Sequence, residues 1–360
     1  MVYVHIPFCK SFCTYCGFYS EICDGKVQKL FVGSLLQEAG ARSGEILACL
    51  EAGSPRTLYI GGGTPSLLDA SSIRRIASAL GPGPWEEFTM EANPEDIVTK
   101  GEAYVRDLMD AGVGRFSLGV QSFDDEVLRR MNRRHDASRA EQAVRILRSC
   151  GVQNLSIDLI FGLPDWSLEK WRSTVKRALD LAPDHISAYQ LSVEPDSVLS
   201  RRLEEGVWKE AGQEECRECY EVLCEELAAA GYHHYEISNF ARPGKEAMHN
   251  SAYWRRVPYV GLGPGAHSFD GARRSWNSET LPQGWTREYE TLSGEDSRVE
   301  ELMLALRTDI GLEAGRAEVL CRKEDLEMLL GEGALVRCGG RIRIPENYFF
   351  VSDDIIRRLL

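Results

Sequence analysis

The stretch His5–Phe18, HIPFCKSFCTYCGF, places three cysteines within eight residues, directly after the strand-like segment VYVHI. Cys9, Cys13 and Cys16 follow the pattern C-x3-C-x2-C. Thiolates at this spacing in a loop can reach three corners of a [4Fe–4S] cube, which leaves one iron open to another molecule. A zinc site would need a fourth ligand, and His5 is expected to lie in the strand. Three unrelated buried thiols are the remaining alternative.

Length and composition narrow the class of protein. With 360 residues, 43% of them hydrophobic, the chain has room for a large barrel and a small second domain. The net charge of −13 argues against direct binding to nucleic acid or to anionic lipid, because both need a positive protein surface. Because no apolar run is long enough to span a bilayer and Met1 leads straight into VYVHI, we expect a cytoplasmic protein without membrane insertion. Eleven cysteines indicate thiols or metal ligands rather than disulfides.

Six strand patterns alternate with helical patterns, which predicts an α/β fold with parallel strands and right-handed crossovers. A barrel and an open doubly wound sheet both satisfy this alternation. Special residues fall at the carboxyl ends of the strands, where barrels build their sites, and this favours a partial (βα)6 barrel. The predicted strands cover 2–6, 57–62, 87–92, 115–120, 155–162 and 185–192, and the predicted helices 26–52, 69–80, 101–111, 124–149 (interrupted near 133–136) and 167–181.

The alternation stops after about Gly231. Helical patterns at 296–307, 313–322 and 324–331 and a hairpin-like segment at 334–348 predict a small winged-helix-like α+β domain, or otherwise a small α+β cap. The acidic charge argues against DNA binding by this domain. The predicted division is a barrel at 1–235, a connecting segment at 236–290 and the small domain at 291–360.

Several motifs together resemble one family. The cysteine loop, YIGGGTPS (59–66), GVQSF (119–123), DLIFGLP (158–164) and HNSAYW (249–254) are similar to the radical S-adenosylmethionine (SAM) family of oxygen-independent coproporphyrinogen III oxidase-like proteins. The resemblance covers nearly the whole chain. It implies a radical SAM barrel, a [4Fe–4S] cluster held by the three cysteines, and SAM chelated by the open iron. It further implies reductive cleavage of SAM, for which the bound cofactors supply the chemistry.

The resemblance also implies which residues contact SAM. Ser192 and His267 occupy positions where the family, or its dehydrogenase, has other residue types, so they are weak matches. A solvated surface carboxylate is the alternative for each acidic member. The implied SAM residues are Tyr3, Tyr15, Gly62, Gly63, Thr64, Glu91, Gln121, Arg133 and Asp158.

HNSAYW carries a second prediction. A neutral His249 imidazole can ligate heme iron, and Tyr253 and Trp254 offer flat faces to a porphyrin. A histidine simply packed among aromatic side chains is the alternative. The matching HNxxYW motif of the heme chaperone branch favours a heme site at His249, Asn250, Tyr253 and Trp254.

Two differences from the dehydrogenase indicate which branch of the family the chain resembles. Phe18 stands where the dehydrogenase carries a further cysteine, and the chain starts at the cluster strand without the dehydrogenase's N-terminal extension. Together with HNxxYW they favour a heme chaperone that delivers heme to acceptor proteins such as respiratory enzymes. Coproporphyrinogen III dehydrogenase, a step of porphyrin biosynthesis, is the enzyme alternative. A radical SAM enzyme with an unrelated substrate and a metal protein without SAM are two others. The resemblance allows a homodimer.

A second cysteine group occupies one predicted helix. Cys216, Cys219 and Cys224 lie close to one helical face, which favours burial against the barrel. An auxiliary cluster is the alternative.

Overall fold

The protein is described by a computed structural model that covers residues 1–51, 55–81, 83–163, 166–195 and 197–360. Six parallel strands follow one another in the sheet in chain order, and each is followed by one or two helices. The strands are β1 (Val2–Ile6), β2 (Thr57–Gly62), β3 (Glu87–Ala92), β4 (Arg115–Gln121), β5 (Leu155–Phe161) and β6 (His185–Gln190). This unreversed order confirms the partial barrel, because an open doubly wound sheet reverses its strand order.

Two of the predicted barrel helices differ clearly from those in the structure. The barrel helices are α1 (Gly25–Ala41), α2 (Ser43–Glu51), α3 (Ala70–Ala79), α4 (Pro94–Asp110), α5 (Asp125–Arg130), α6 (Ala137–Ser149), α7 (Leu168–Asp180), α8 (Val198–Glu204) and α9 (Gln213–Ala229).

The predicted helix 26–52 is two helices, because the chain leaves helical geometry at Arg42. Its guanidinium contacts Glu38, Glu45 and the carbonyl oxygen of Gly261. The last predicted residue, Ala52, lies outside the described residues, as does Pro164 of DLIFGLP.

Helix α4 begins seven residues before the predicted start at 101. Asn93 caps it by accepting from the Glu95 N–H, and Pro94 occupies the first turn, where no N–H is needed. Gly101 has a φ of 70°, so the helix is kinked there. The apolar period was therefore visible only in the part that follows the kink.

Short strands extend the main sheet on both sides. β7 (His233–Glu236) and β8 (Asn239–Ala241) continue it antiparallel beyond β6, and β9 (Val260–Leu262) lies parallel to β1. Helix α10 (Met248–Trp254) and the antiparallel sheet of β10 (His267–Phe269), β11 (Arg273–Asn277) and β12 (Arg287–Thr291) complete this segment. The predicted boundary between residues 235 and 236 falls within β7. The three-part division itself stays a prediction.

The C-terminal region has the predicted α+β composition. It contains α11 (Gly294–Leu306), α12 (Ala314–Leu320), α13 (Lys323–Gly331), a 3-10 helix (Glu346–Val351) and α14 (Ser352–Arg357), with the antiparallel strands β13 (Leu312–Glu313), β14 (Val336–Cys338) and β15 (Arg341–Arg343). Apolar side chains between the strands and the surrounding helices form the main core. Among the described helices, none combines the length and apolar character that crossing a bilayer requires.

Candidate functional site

A cavity of about 550 Å³ lies at the carboxyl ends of the parallel strands, a size typical of small-ligand sites. It brings together most of the residues that the motifs predicted. Its lining includes Cys9, Cys13, Tyr15, Cys16, Gly62, Gly63, Thr64, Glu91, Gln121, Arg133, Asp158 and Asn250.

Backbone hydrogen bonds hold the cysteine loop over this cavity. The Cys9 N–H donates to the Glu21 carbonyl (3.0 Å), and the Thr14 N–H donates to the Met131 carbonyl (3.1 Å). The Asn132 side-chain amide donates to the carbonyl of Phe12 (2.7 Å). The turn that follows α5 therefore positions the loop that follows β1.

The donor set fits a cluster held by three thiolates. Cys9, Cys13 and Cys16 carry free thiols, and Arg133 Nη1 lies 3.2 Å from Cys13 Sγ. The Nε of Arg133 is buried without a hydrogen-bond partner in the described part of the chain. A buried donor beside three thiols suits sulfide or thiolate sulfur, which accepts hydrogen bonds.

His5 does not serve as a fourth ligand in this arrangement. Its Nε2–H donates to the carbonyl of Tyr19 (2.9 Å), and its Nδ1 accepts from the Tyr3 hydroxyl (3.0 Å). Burial lowers the pKa of the His5 imidazole, which keeps the ring neutral. The predicted position in the strand is confirmed.

The glycines of GGGTP are required for a reason that the sequence alone did not show. A Cβ on Gly63 would lie 2.7 Å from the carbonyl oxygen of Phe8, and one on Gly62 would lie 2.7 Å from the His5 ring. Gly62 also has a φ of 114°, which favours glycine. The absent side chain of Gly63 thus lets the chain after β2 pack against the start of the cysteine loop, and that of Gly62 leaves room for the His5 ring.

Two carboxylates face the cavity from β3 and β5, the strands on either side of β4. Glu91 accepts from the Tyr59 hydroxyl (2.8 Å) and the Gly62 N–H (3.0 Å). Burial, together with the Asp158 carboxylate, raises the pKa of Glu91 to about 7 against these two hydrogen bonds. Asp158 accepts from the Ser117 hydroxyl (3.0 Å), and burial raises its pKa as well.

The motif analysis missed further polar residues of the cavity lining, among them Tyr59, Arg115, Ser117 and Tyr189. The alternation of side chains along a strand could have found two of them. Tyr59 pairs with Thr89, two residues before Glu91, and Ser117 pairs with Glu91 itself, so both face the same side of the sheet as Glu91. Arg115 is buried at the start of β4, and its Nε has no hydrogen-bond partner in the described part of the chain. A buried cation beside Glu91 and Asp158 supplies positive charge to the cavity.

Several predicted site residues do not line the cavity. Tyr3 contacts His5 and lies beside the ring of Tyr59. Of the heme set, His249, Tyr253 and Trp254 lie on α10 away from the cavity, while Asn250 reaches it. Of the two weak matches, Ser192 lines the cavity, whereas His267 lies in the small antiparallel sheet, where it pairs with Trp276.

His249 is fully buried, with both ring nitrogens engaged. Nδ1 hydrogen-bonds with the Thr57 hydroxyl (2.7 Å) and Nε2 with the Tyr253 hydroxyl (3.0 Å). The backbone N–H groups of Met248 and His249 donate to the Glu87 carboxylate. Burial lowers the pKa of His249 to about 3, so the ring is neutral. In this conformation His249 has the packed environment that was the alternative to ligation.

The second cysteine group is divided. Cys216 and Cys219 are buried in the main core, in agreement with the packing interpretation. Cys224 faces His234 and Glu346 instead.

Comparisons with known proteins bear on the family and the fold. The family model of the Radical SAM superfamily matches residues 3–178 of this chain. Heme chaperone HemW of Lactococcus lactis is 31% identical, over 99% of this chain and 96% of that protein. Heme chaperone HemW of Synechocystis sp. is 36% identical, over 86% of this chain and 78% of that protein. The solved structure of coproporphyrinogen III oxidase (HemN) from Escherichia coli, described as a radical SAM enzyme, has a TM-score of 0.81 at 23% identity, covering 99% and 89% of the two chains, and shows the shared fold.

A partial barrel with a three-cysteine loop over the strand ends defines a radical SAM protein. The likeness to HemN extends that fold through the C-terminal region. Within this class the chain belongs to the family of the heme chaperone HemW.

Proposed function

We propose that this protein is a heme chaperone that binds a [4Fe–4S] cluster, SAM and heme, and delivers heme to acceptor proteins such as respiratory enzymes. The observation that carries the proposal is the convergence of Cys9, Cys13 and Cys16 on the strand-end cavity in a member of the HemW family. Membership supports heme handling, and the cavity supports the two other cofactors.

Each part of the cavity has a role in this proposal. The bound cluster would offer SAM an iron not ligated by the protein, and an electron. Thr64, with Gly62 and Gly63, would position the methionyl part of SAM. Glu91 and Asp158 would face its positively charged groups. Because each oxygen of Glu91 accepts one hydrogen bond from the protein, each keeps a lone pair for the ligand.

Heme binding by His249 has a structural condition. Nε2 can ligate iron only if its hydrogen bond with the Tyr253 hydroxyl is broken. Trp254, half-buried at the end of the same helix, would then offer a porphyrin-facing surface. We therefore propose that heme enters by displacing the Tyr253 hydroxyl from His249.

Anaerobic reconstitution followed by two assays tests the proposal. The wild-type chain should hold iron and acid-labile sulfide in equal amounts, whereas a Cys9→Ser/Cys13→Ser/Cys16→Ser variant should hold neither. Reconstituted protein should bind heme, seen as a shifted heme absorbance, and pass it to the apo form of a heme enzyme.

The second assay supplies coproporphyrinogen III, SAM and a reductant to the same preparation. We expect no protoporphyrinogen IX. Its formation at the rate of a working enzyme would assign the dehydrogenase activity instead. Absence of heme binding together with absence of turnover would favour a radical SAM enzyme with another substrate.

A further inference from the structure

Cys224, His234 and Glu346 meet far from one another in sequence. Cys224 belongs to α9, His234 to the edge strand β7, and Glu346 begins the 3-10 helix of the C-terminal region. His234 Nδ1 lies 3.8 Å from Cys224 Sγ and 3.0 Å from Glu346 Oε1. One ligand atom from each residue falls within 4.8 Å of the other two. None of the three lines the strand-end cavity.

These separations suit a tetrahedral metal ion. With bonds of about 2.3 Å to sulfur and about 2.0 Å to nitrogen or oxygen, ligand atoms around Zn²⁺ lie roughly 3.3–3.6 Å apart. The two distances at Nδ1 bracket this range. Thiolate, imidazole and carboxylate are also the three ligand types that Zn²⁺ takes from proteins.

The environment of His234 orients Nδ1 toward the other two groups. The Tyr220 hydroxyl lies 2.7 Å from the Ile237 carbonyl oxygen and 3.2 Å from His234 Nε2. Its one proton goes to the carbonyl, so Nε2–H donates to the Tyr220 oxygen. In a neutral ring Nδ1 then carries the lone pair. A hydrogen-bonded second nitrogen is typical of metal-binding histidines.

The ring is also fixed by packing. Phe240 stacks on it with centroids 4.0 Å apart and planes at 18°, and Phe349 meets it edge-on at 5.0 Å. The His234 side chain is 3% exposed, whereas that of Glu346 is 55% exposed. The group formed by Cys224, His234 and Glu346 is thus enclosed by protein around His234 and open to water at Glu346.

A single proton at Nδ1 can be donated to only one of its two neighbours, Glu346 or Cys224. Without one, the Nδ1 lone pair faces the Glu346 oxygen at 3.0 Å; with one, the imidazolium is buried and the thiol of Cys224 is left beside it. A divalent cation would satisfy all three groups at once. We propose that Cys224, His234 and Glu346 bind one Zn²⁺, with water as the fourth ligand, and that this ion joins the C-terminal region to the edge of the barrel.

Zinc analysis of the reconstituted full-length protein tests this site. After incubation with Zn²⁺ and removal of the excess, the wild type should retain about one zinc per chain beside its iron. Cys224→Ser should weaken zinc binding by more than about tenfold while iron is unchanged. Cys216→Ser, on the same helix and buried in the core, is the matched control and should retain zinc. Equal zinc in the Cys224→Ser and wild-type proteins would overturn the proposal, as would none in either.

Co²⁺ provides a second measurement that is independent of the cluster. In a full-length chain with Cys9, Cys13 and Cys16 changed to Ser, Co²⁺ should give a thiolate-to-metal absorption band that is lost when Cys224→Ser is added. Glu346→Gln, at an exposed side chain that poses little risk to folding, should keep the band but lower the affinity. Because this chain holds no cluster, the result does not depend on the proposed heme function. A band unchanged by Cys224→Ser would overturn the site.

Discussion

The guanidinium of Arg133 connects the thiol of Cys13 to strand β4. Its Nη1 lies 3.2 Å from Cys13 Sγ, and its Nη2 donates to the carbonyl of Gly119 at 2.5 Å. Hydrogen bonds to the ligand sulfurs are one way in which a protein stabilises and tunes an iron–sulfur cluster. The loop after β1 thus obtains part of its electrostatic environment from a residue more than a hundred positions later.

Arg133→Gln should therefore weaken the binding of the [4Fe–4S] cluster. A hydrogen bond to a charged partner contributes about 1.5–3 kcal/mol, so we expect iron to be lost at least roughly tenfold faster during anaerobic dialysis against a chelator. Arg134→Gln is the control, because Arg134 also lines the cavity but pairs with Asp96. Equal loss from both variants would mean that the contact with Cys13 has no such role.

Gly63→Ala should displace the cysteine loop. The new methyl group would lie 2.7 Å from the Phe8 carbonyl oxygen, and overpacking of this kind costs roughly 1–3 kcal/mol of unfolding free energy. Iron content after reconstitution should fall with it. Gly33→Ala in α1 has no atom within 4 Å of the new methyl group and should instead stabilise by about 0.5–1 kcal/mol. Denaturant unfolding of both variants measures the difference, and a neutral Gly63→Ala would contradict the packing argument.

Glu91 should make the stability of the cluster-free protein depend on pH. Its pKa is raised from 4.5 in the unfolded chain to about 7, so its protonated form stabilises the fold below pH 4.5. That contribution is lost as the pH rises through 7. Glu91→Gln should remove a decrease of roughly 1–3 kcal/mol in unfolding free energy between pH 5 and 8.

Glu236 provides an internal comparison for that measurement. Burial raises its pKa to about 7 as well, and the Asn239 amide donates to it. The Glu91→Gln variant should therefore keep the part of the pH dependence that belongs to Glu236. Parallel curves for wild type and Glu91→Gln would show that Glu91 is ionised in the folded protein throughout this range.

Tyr253→Phe should strengthen heme binding if His249 is the ligand. The substitution frees Nε2 from a hydrogen bond worth about 1 kcal/mol, which corresponds to a roughly fivefold lower dissociation constant. Heme titration followed by absorbance measures it. Adding His249→Ala to Tyr253→Phe should abolish the gain. If the gain survives the loss of the imidazole, another residue ligates the iron.

Much of the fold was predictable because it depends on local pattern. The apolar period located the six strands and most of their helices to within a few residues, and the strand ends indicated where Glu91, Gln121 and Asp158 would lie. Helix α4 was underestimated because Gly101 interrupts its period. Arg115 was missed because a charged residue at the start of a strand is usually exposed, whereas here the barrel encloses it.

The sequence by itself determined the cysteine loop, the order of β and α units and the family, since these follow from spacing and period along the chain. Tertiary structure alone decided that His249 turns inward onto Thr57 and Tyr253 and that Gly63 makes room for the start of the cysteine loop. It also decided that Cys224, His234 and Glu346 meet. The physical reason is range: backbone preferences and periodicity act over a few residues. Contacts between distant positions depend on strand register and side-chain packing, which exist only once the chain has folded.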